Sequence, residues 1–116
     1  MNKTWHTENP LNCPLVSALN VLGGKWKPVI LHMLSTDAMR FGELKKKIPP
    51  VSQKMLTQHL RELEADGIVL RKDYDEVPPR VEYSLSEKGE TLKPVLHHLY
   101  AWGEEYGTRF SPTTTK

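Results

Sequence analysis

The sequence predicts an α+β, mostly helical fold, and three observations carry that prediction. Before residue 67, apolar residues recur at helical spacing in four consecutive segments. Between Ile68 and Leu85 the period shortens to two on either side of a proline-containing turn. A long helical pattern then resumes and runs to Tyr106. Two helices joined by a short turn and followed at once by a β-hairpin describe a winged helix-turn-helix.

Each element has its own local signal. Residues 1–12 are expected to form an irregular N-terminal arm, ahead of a folded domain over 13–107. Pro14 suits a first helical position, where its missing N–H costs nothing. Leu15, Ala18, Leu19 and Leu22 continue that helix over 14–22, and Gly23-Gly24 stops it. A second helix is predicted over 25–35, with Val29, Ile30, Met33 and Leu34 as its apolar face and Pro28 in its first turn. Phe41, Leu44 and Ile48 mark a short third helix reaching Lys47. Pro49-Pro50 ends it, because a proline disfavours helix in the residue before it. Ser52 then caps a fourth helix over 53–66, and Gly67 takes the C′ position that favours a left-handed residue. Ile68 and Leu70 lead a strand to Tyr74, residues 75–79 turn, and Val81, Tyr83 and Leu85 alternate in the returning strand. Ser86 caps a last helix over 87–106 that Pro94 should kink. Residues 108–116 read as a frayed tail.

Composition narrows the function classes. A chain of 116 residues with 38% hydrophobic and 26% charged residues fits one small globular domain. No apolar run approaches the roughly 18 residues of a membrane span. Met1–Pro10 lacks the basic and apolar regions of a signal peptide, so a cytoplasmic location away from membranes is expected. The single cysteine, Cys13, cannot make an internal disulfide, which agrees with a reducing compartment. The histidines lack metal-ligand spacing, and neither a glycine-rich phosphate loop nor a nucleophile elbow is present. An enzyme, a metal and a cofactor are therefore not expected.

Net charge is only +2, but its distribution is informative. Residues 40–61 hold six cations (Arg40, Lys45, Lys46, Lys47, Lys54, Arg61) against Glu43 alone, whereas 87–107 hold four anions against two cations. Positive charge concentrated in one segment suits a polyanion partner or, alternatively, a solvated basic face. On the fourth helix, at about 100° per residue, Leu56, Leu60 and Leu63 fall in one stripe and Lys54, Thr57, Gln58 and Arg61 lie opposite. These polar residue types suit a major groove: Arg or Lys donates to guanine, Gln pairs with adenine, and a Thr methyl meets the thymine methyl. Ser52 and Gln53 place the helix N-terminus where its N–H groups would meet a phosphate. Acidic residues appear only toward the far end, at Glu62, Glu64 and Asp66. In the hairpin turn Arg80 either follows the duplex as a wing contact or pairs with Glu76 or Glu82. On the last helix Val95, Leu99, Trp102 and Tyr106 repeat at spacings of four, three and four, a seam pattern that suits a two-fold dimer.

Several stretches resemble the HxlR family of bacterial transcription regulators: Cys13-Pro14, Gly23-Gly24-Lys25-Trp26, Phe41-Gly42-Glu43-Leu44, Ser52-Gln53-Lys54-Met55-Leu56-Thr57, Leu60-Arg61-Glu62-Leu63-Glu64-Ala65-Asp66-Gly67 and Pro78-Pro79-Arg80-Val81-Glu82-Tyr83-Ser84-Leu85. The resemblance spans roughly residues 12–103. It implies a homodimeric winged helix-turn-helix protein that binds double-stranded DNA at a near-palindromic operator, with the terminal helices carrying the dimer interface. The sequence departs from the family pattern at Pro50, where glycine is expected. The resemblance also implies a candidate redox sensor at Cys13, since some members are thiol switches. At a helix N-cap the macrodipole favours a thiolate, although a free cysteine equally serves as a small buried residue. No motif names an effector. A different class of function, a winged-helix module that docks on another protein, would call for a large apolar patch on the fourth helix in place of a basic one.

Overall fold

The computed structural model describes residues 13–107. The arm expected over 1–12 and the tail expected over 108–116 lie outside the described residues. The elements follow in the order α1 (Pro14–Leu22), α2 (Trp26–Leu34), β1 (Met39–Arg40), α3 (Phe41–Lys47), α4 (Gln53–Ala65), β2 (Val69–Asp73), β3 (Val81–Leu85), α5 (Glu87–Glu90) and α6 (Lys93–Tyr106). The winged helix-turn-helix is thus α3, α4 and the β2–β3 hairpin.

The helix ends follow the capping residues. Cys13 is the N-cap of α1 in extended conformation, with Pro14 directly after it. The backbone N–H of Arg40 donates to Glu43 Oε1 at 2.8 Å, which fixes the first turn of α3. Ser52 Oγ accepts from the Met55 N–H at 3.0 Å and starts α4. Gly67, at φ +76°, ends it. There the Ile68 N–H reaches the Leu63 carbonyl and the Gly67 N–H reaches that of Glu64, the paired bonds of a Schellman cap. Ile68 and Leu63 are both buried, so the cap also carries its hydrophobic contact. Pro50, the departure noted above, sits in a turn where no left-handed residue is needed: among the described residues, positive φ occurs only at Gly24, Gly67 and Asp75.

One core joins α2, α3, α4 and the sheet. Ile30, Leu31, Leu44, Leu56, Leu60 and Leu63 are almost free of solvent, and Ile48 and Val51 bury the turn between α3 and α4. Each such side chain contributes about 1.5–3 kcal/mol by leaving water. The strands form one antiparallel sheet in the order β1-β3-β2, with Met39 opposite Tyr83 and Val69 opposite Leu85.

Four sequence expectations are corrected. The apolar face of α2 includes Leu31, which is fully buried, while Val29 and Met33 pack at its margin. Leu70 does not face the core but is exposed, and Val69 is buried in its place. Ile68 belongs to the cap of α4, so the inward phase of the strand begins one residue later. A third strand, β1, joins the hairpin; at two residues it is too short to show a period. The last helix is not one kinked helix over 87–106. It breaks between Glu90 and Lys93, and Pro94 falls in the first turn of α6. In a continuous helix the Pro94 ring would clash with the carbonyl of Glu90, four residues earlier, and would donate no N–H to it. The break removes both conflicts.

Candidate nucleic-acid interface

Burial sorts the sides of α4. Leu56, Leu60 and Leu63 anchor one side in the core, while Gln53, Lys54, Thr57, Gln58 and Arg61 together line an open depression on the other. The five polar residues singled out on this helix from the sequence therefore share one continuous surface. Met55, 42% exposed, is the only large hydrophobic residue of α4 open to solvent, so the face offers no apolar patch.

Local bonds set what each side chain offers. Thr57 donates its hydroxyl to the Gln53 carbonyl at 2.9 Å, which leaves its methyl as the group for a partner. Ser52 Oγ is engaged as the cap of this 13-residue helix, where it accepts from the Met55 N–H. Lys54 and Arg61 are exposed. In α3, Lys45 donates to the Pro49 carbonyl at 3.0 Å, while Lys46 and Lys47 stay exposed.

One residue that the charge pattern did not single out, Lys27, stands behind this surface. Lys27 of α2 is 8% exposed, and its Nζ lies 2.7 Å from Glu62 Oε1. The other carboxylate oxygen, Oε2, accepts from Gln58 Nε2 at 3.1 Å. His59 Nδ1 lies 3.8 Å from Oε1. The hydrogen bond from Lys27, and after it that from Gln58, hold the Glu62 carboxyl below its ordinary value of 4.5. Gln58 and Glu62 stand four residues apart on a helix, so their contact could be foreseen from spacing. The reach of Lys27 across from α2 could not.

The wing is held by its own side chains. Arg80 lies over the Tyr74 ring, its Cζ 3.6 Å from the centroid. Its Nη2 donates to Glu76 Oε2 at 3.2 Å and its Nη1 lies 3.7 Å from Glu82 Oε2. The Tyr74 hydroxyl donates to Glu82 Oε1 at 2.8 Å, and this bond to a carboxylate, with burial, raises its pKa above 10.0. Arg80 thus pairs with both Glu76 and Glu82. Val77 at the tip is 99% exposed.

The expected seam residues of α6 point away from the core. Leu96 is buried, but Val95, Leu99, Trp102 and Tyr106 are exposed, as are Leu15 and Leu19 of α1. The Trp102 and Tyr106 rings stand 5.5 Å apart in a tilted pair. Cys13 is half-buried. Among the described residues, no group of three His, Cys, Asp or Glu side chains is placed to hold a metal ion, and no helix is long and apolar enough to cross a membrane.

A recognition helix with a polar, cation-bearing outer face, a helix before it across a short turn and a stiffened hairpin after it define a winged helix-turn-helix transcription regulator. The chain belongs to the HxlR family: the model of the HxlR-like helix-turn-helix matches residues 21–111. It is 50% identical over 97 residues to the HTH-type transcriptional regulator YdeP of Bacillus subtilis (strain 168), covering 84% of this chain and 76% of that one. Among solved structures it resembles the redox regulator HypR in its oxidized form, with a TM-score of 0.79 and 46% identity over 85% of this chain and all of that one. It also resembles the reduced form of the transcriptional regulator YodB from B. subtilis, with a TM-score of 0.71 and 40% identity over 80% of this chain and 91% of that one.

Proposed function

We propose that the protein is a cytoplasmic, sequence-specific regulator that binds a near-palindromic operator as a homodimer. The observation that carries this reading is the shared outer face of α4. Lys54, Gln58 and Arg61 supply the donors and acceptors that discriminate base edges, and Thr57 supplies a methyl. Ser52 and Gln53 direct the amide end of the helix to a phosphate. Arg80 serves chiefly to hold the wing, since reaching a phosphate would require it to leave Glu76. The dimer forms through Val95, Leu99, Trp102 and Tyr106 of α6 together with α1. Apolar side chains this large, left exposed along a helix at seam spacing, favour burial against a second copy.

The test is footprinting of the purified protein on duplexes from its own genomic neighbourhood, followed by titration of the protected duplex. Protected half-sites should lie about one helical turn, or a multiple, apart. A single protected site without internal symmetry would reject the dimeric reading. Protection independent of sequence would reject base readout.

A second reading concerns regulation. Cys13 is a half-buried free cysteine at the N-cap of α1, and one similar protein is a redox regulator. With one cysteine per chain, a two-electron oxidant of the peroxide class would take two electrons and two protons from Cys13 and a second thiol, joining Cys13 by a disulfide either to the same cysteine of a second copy or to a small thiol, and α1 would carry the change to the dimer.

A further inference from the structure

We propose that Glu62 is a positioning residue for base readout: held by Lys27, its carboxylate fixes the amide of Gln58 in the orientation that reads a base. This inference rests on α4 being the recognition helix.

The argument begins with Lys27. An ammonium group in a side chain only 10% exposed is costly without a partner. Glu62 supplies one at 2.7 Å through Oε1. The pairing also matters for DNA, because an uncompensated carboxylate on the outer half of α4 would repel phosphates. Lys27 neutralises it from behind, where the lysine itself stays out of the groove.

Oε2 of Glu62 is left for Gln58. The Gln58 amide nitrogen carries two hydrogens, and one is given to Oε2 at 3.1 Å. That bond decides which end of the amide is nitrogen and which is oxygen. It leaves one N–H and the free Oε1 side by side, the donor–acceptor pair that matches N7 and the N6 amino group of adenine. An unpinned glutamine would have to lose its rotamer freedom on binding and could turn either end toward the base. Glu62 thus acts on specificity through Gln58, without touching DNA.

The test uses a pool of duplexes with a randomised central segment, from which the wild type selects its preferred sequence. The selected duplex and its single base-pair substitutions are then titrated with wild type, Gln58→Ala, Glu62→Ala, Gln58→Ala/Glu62→Ala and Lys27→Met/Glu62→Met. The last variant exchanges an ion pair for apolar groups, a change that folded proteins often tolerate. Its melting temperature therefore separates positioning from folding. Gln58→Ala should flatten the preference at one base pair of each half-site. Glu62→Ala and Lys27→Met/Glu62→Met should weaken the preference at that same base pair roughly five- to tenfold and leave other positions alone. Gln58→Ala/Glu62→Ala should lose no more than Gln58→Ala. The proposal is overturned if Glu62→Ala leaves that preference intact, if it alters a different base pair, or if the two losses add. Should the wild type select a sequence that Gln58→Ala does not disturb, the relay falls while operator binding stands. A wild type that selects nothing removes both.

Discussion

The hydroxyl of Ser86 donates to the carbonyl of Gly67 at 2.6 Å, tying the end of the hairpin to the cap of α4. The same oxygen accepts from the Gly89 N–H at 2.9 Å and so starts α5. One side chain thus joins the recognition helix, the wing and the C-terminal helices. Ser86→Ala removes a helix cap and leaves a carbonyl without its donor. It should cost about 0.5–2 kcal/mol of stability, read as a lower denaturant midpoint at unchanged slope. An unchanged midpoint would mean that backbone pairing alone holds this corner.

Gly89 presses on the same corner. It is buried, and a Cβ placed there would run into the Ile68 carbonyl, a backbone atom that cannot swing aside. Gly89→Ala should therefore destabilise by about 1–3 kcal/mol. Each kcal/mol should lower the melting temperature by roughly 4–8 °C in a domain of this size. A variant that melts with the wild type would show that α5 can move off the sheet freely.

The sequence revealed most where a local signal was enough. Pro14, Ser52, Gly67 and Ser86 each act on the turn they sit in, and the helix ends follow them. The outer face of α4 was equally legible, because the period of a helix fixes which residues share a side. The misjudged features depend on other parts of the chain. Leu70 was assigned inward because Ile68 looked like the first strand residue, when it is the last residue of a cap. The break before Lys93 depends on whether a proline is accommodated by bending or by restarting the helix. No sequence signal singled out Lys27. Its burial and its bond to Glu62 arise only when α2 packs across α4, which no local pattern records.

The exposed aromatic pair on α6 gives a test of assembly. Trp102 is 62% exposed in the single chain and, among the described residues, its ring forms a tilted pair with Tyr106. Trp102→Asp should leave the monomer fold intact, because it removes nothing from the core. It should shift sedimentation from dimer to monomer at micromolar concentration and weaken operator binding in step. If the wild type itself sediments as a monomer, the seam is not an interface. If the variant stays dimeric, the interface lies elsewhere.

Cys13 is the N-cap of α1, the element expected to share that interface. If it is a sensor, a thiol oxidant should change operator affinity in the wild type and leave Cys13→Ser unaffected. Electrophoresis without reductant should then separate a disulfide-linked dimer from a mixed disulfide with a small thiol. Equal responses in wild type and Cys13→Ser would remove Cys13 from the mechanism.

Contacts to phosphates and to bases should separate under salt. Lys46 is exposed on α3, ahead of the turn, and unlike Lys45 it is not held to the Pro49 carbonyl. Arg61 is exposed on the outer face of α4. A lysine that neutralises one phosphate releases counterions whatever the sequence. Lys46→Ala should therefore weaken cognate and scrambled duplexes alike and reduce the slope of log affinity against log salt by about 0.9 per contact. An arginine bound to a base edge discriminates instead. Arg61→Ala should cost roughly 1–3 kcal/mol on the cognate duplex and little on the scrambled one, with less change in slope. The measurement is a titration of wild type, Lys46→Ala and Arg61→Ala against both duplexes at several salt concentrations. Were Arg61→Ala to lower both affinities equally and take one contact from the slope, Arg61 would be a phosphate clamp. Sequence reading at the far half of α4 would then rest on Gln58 alone.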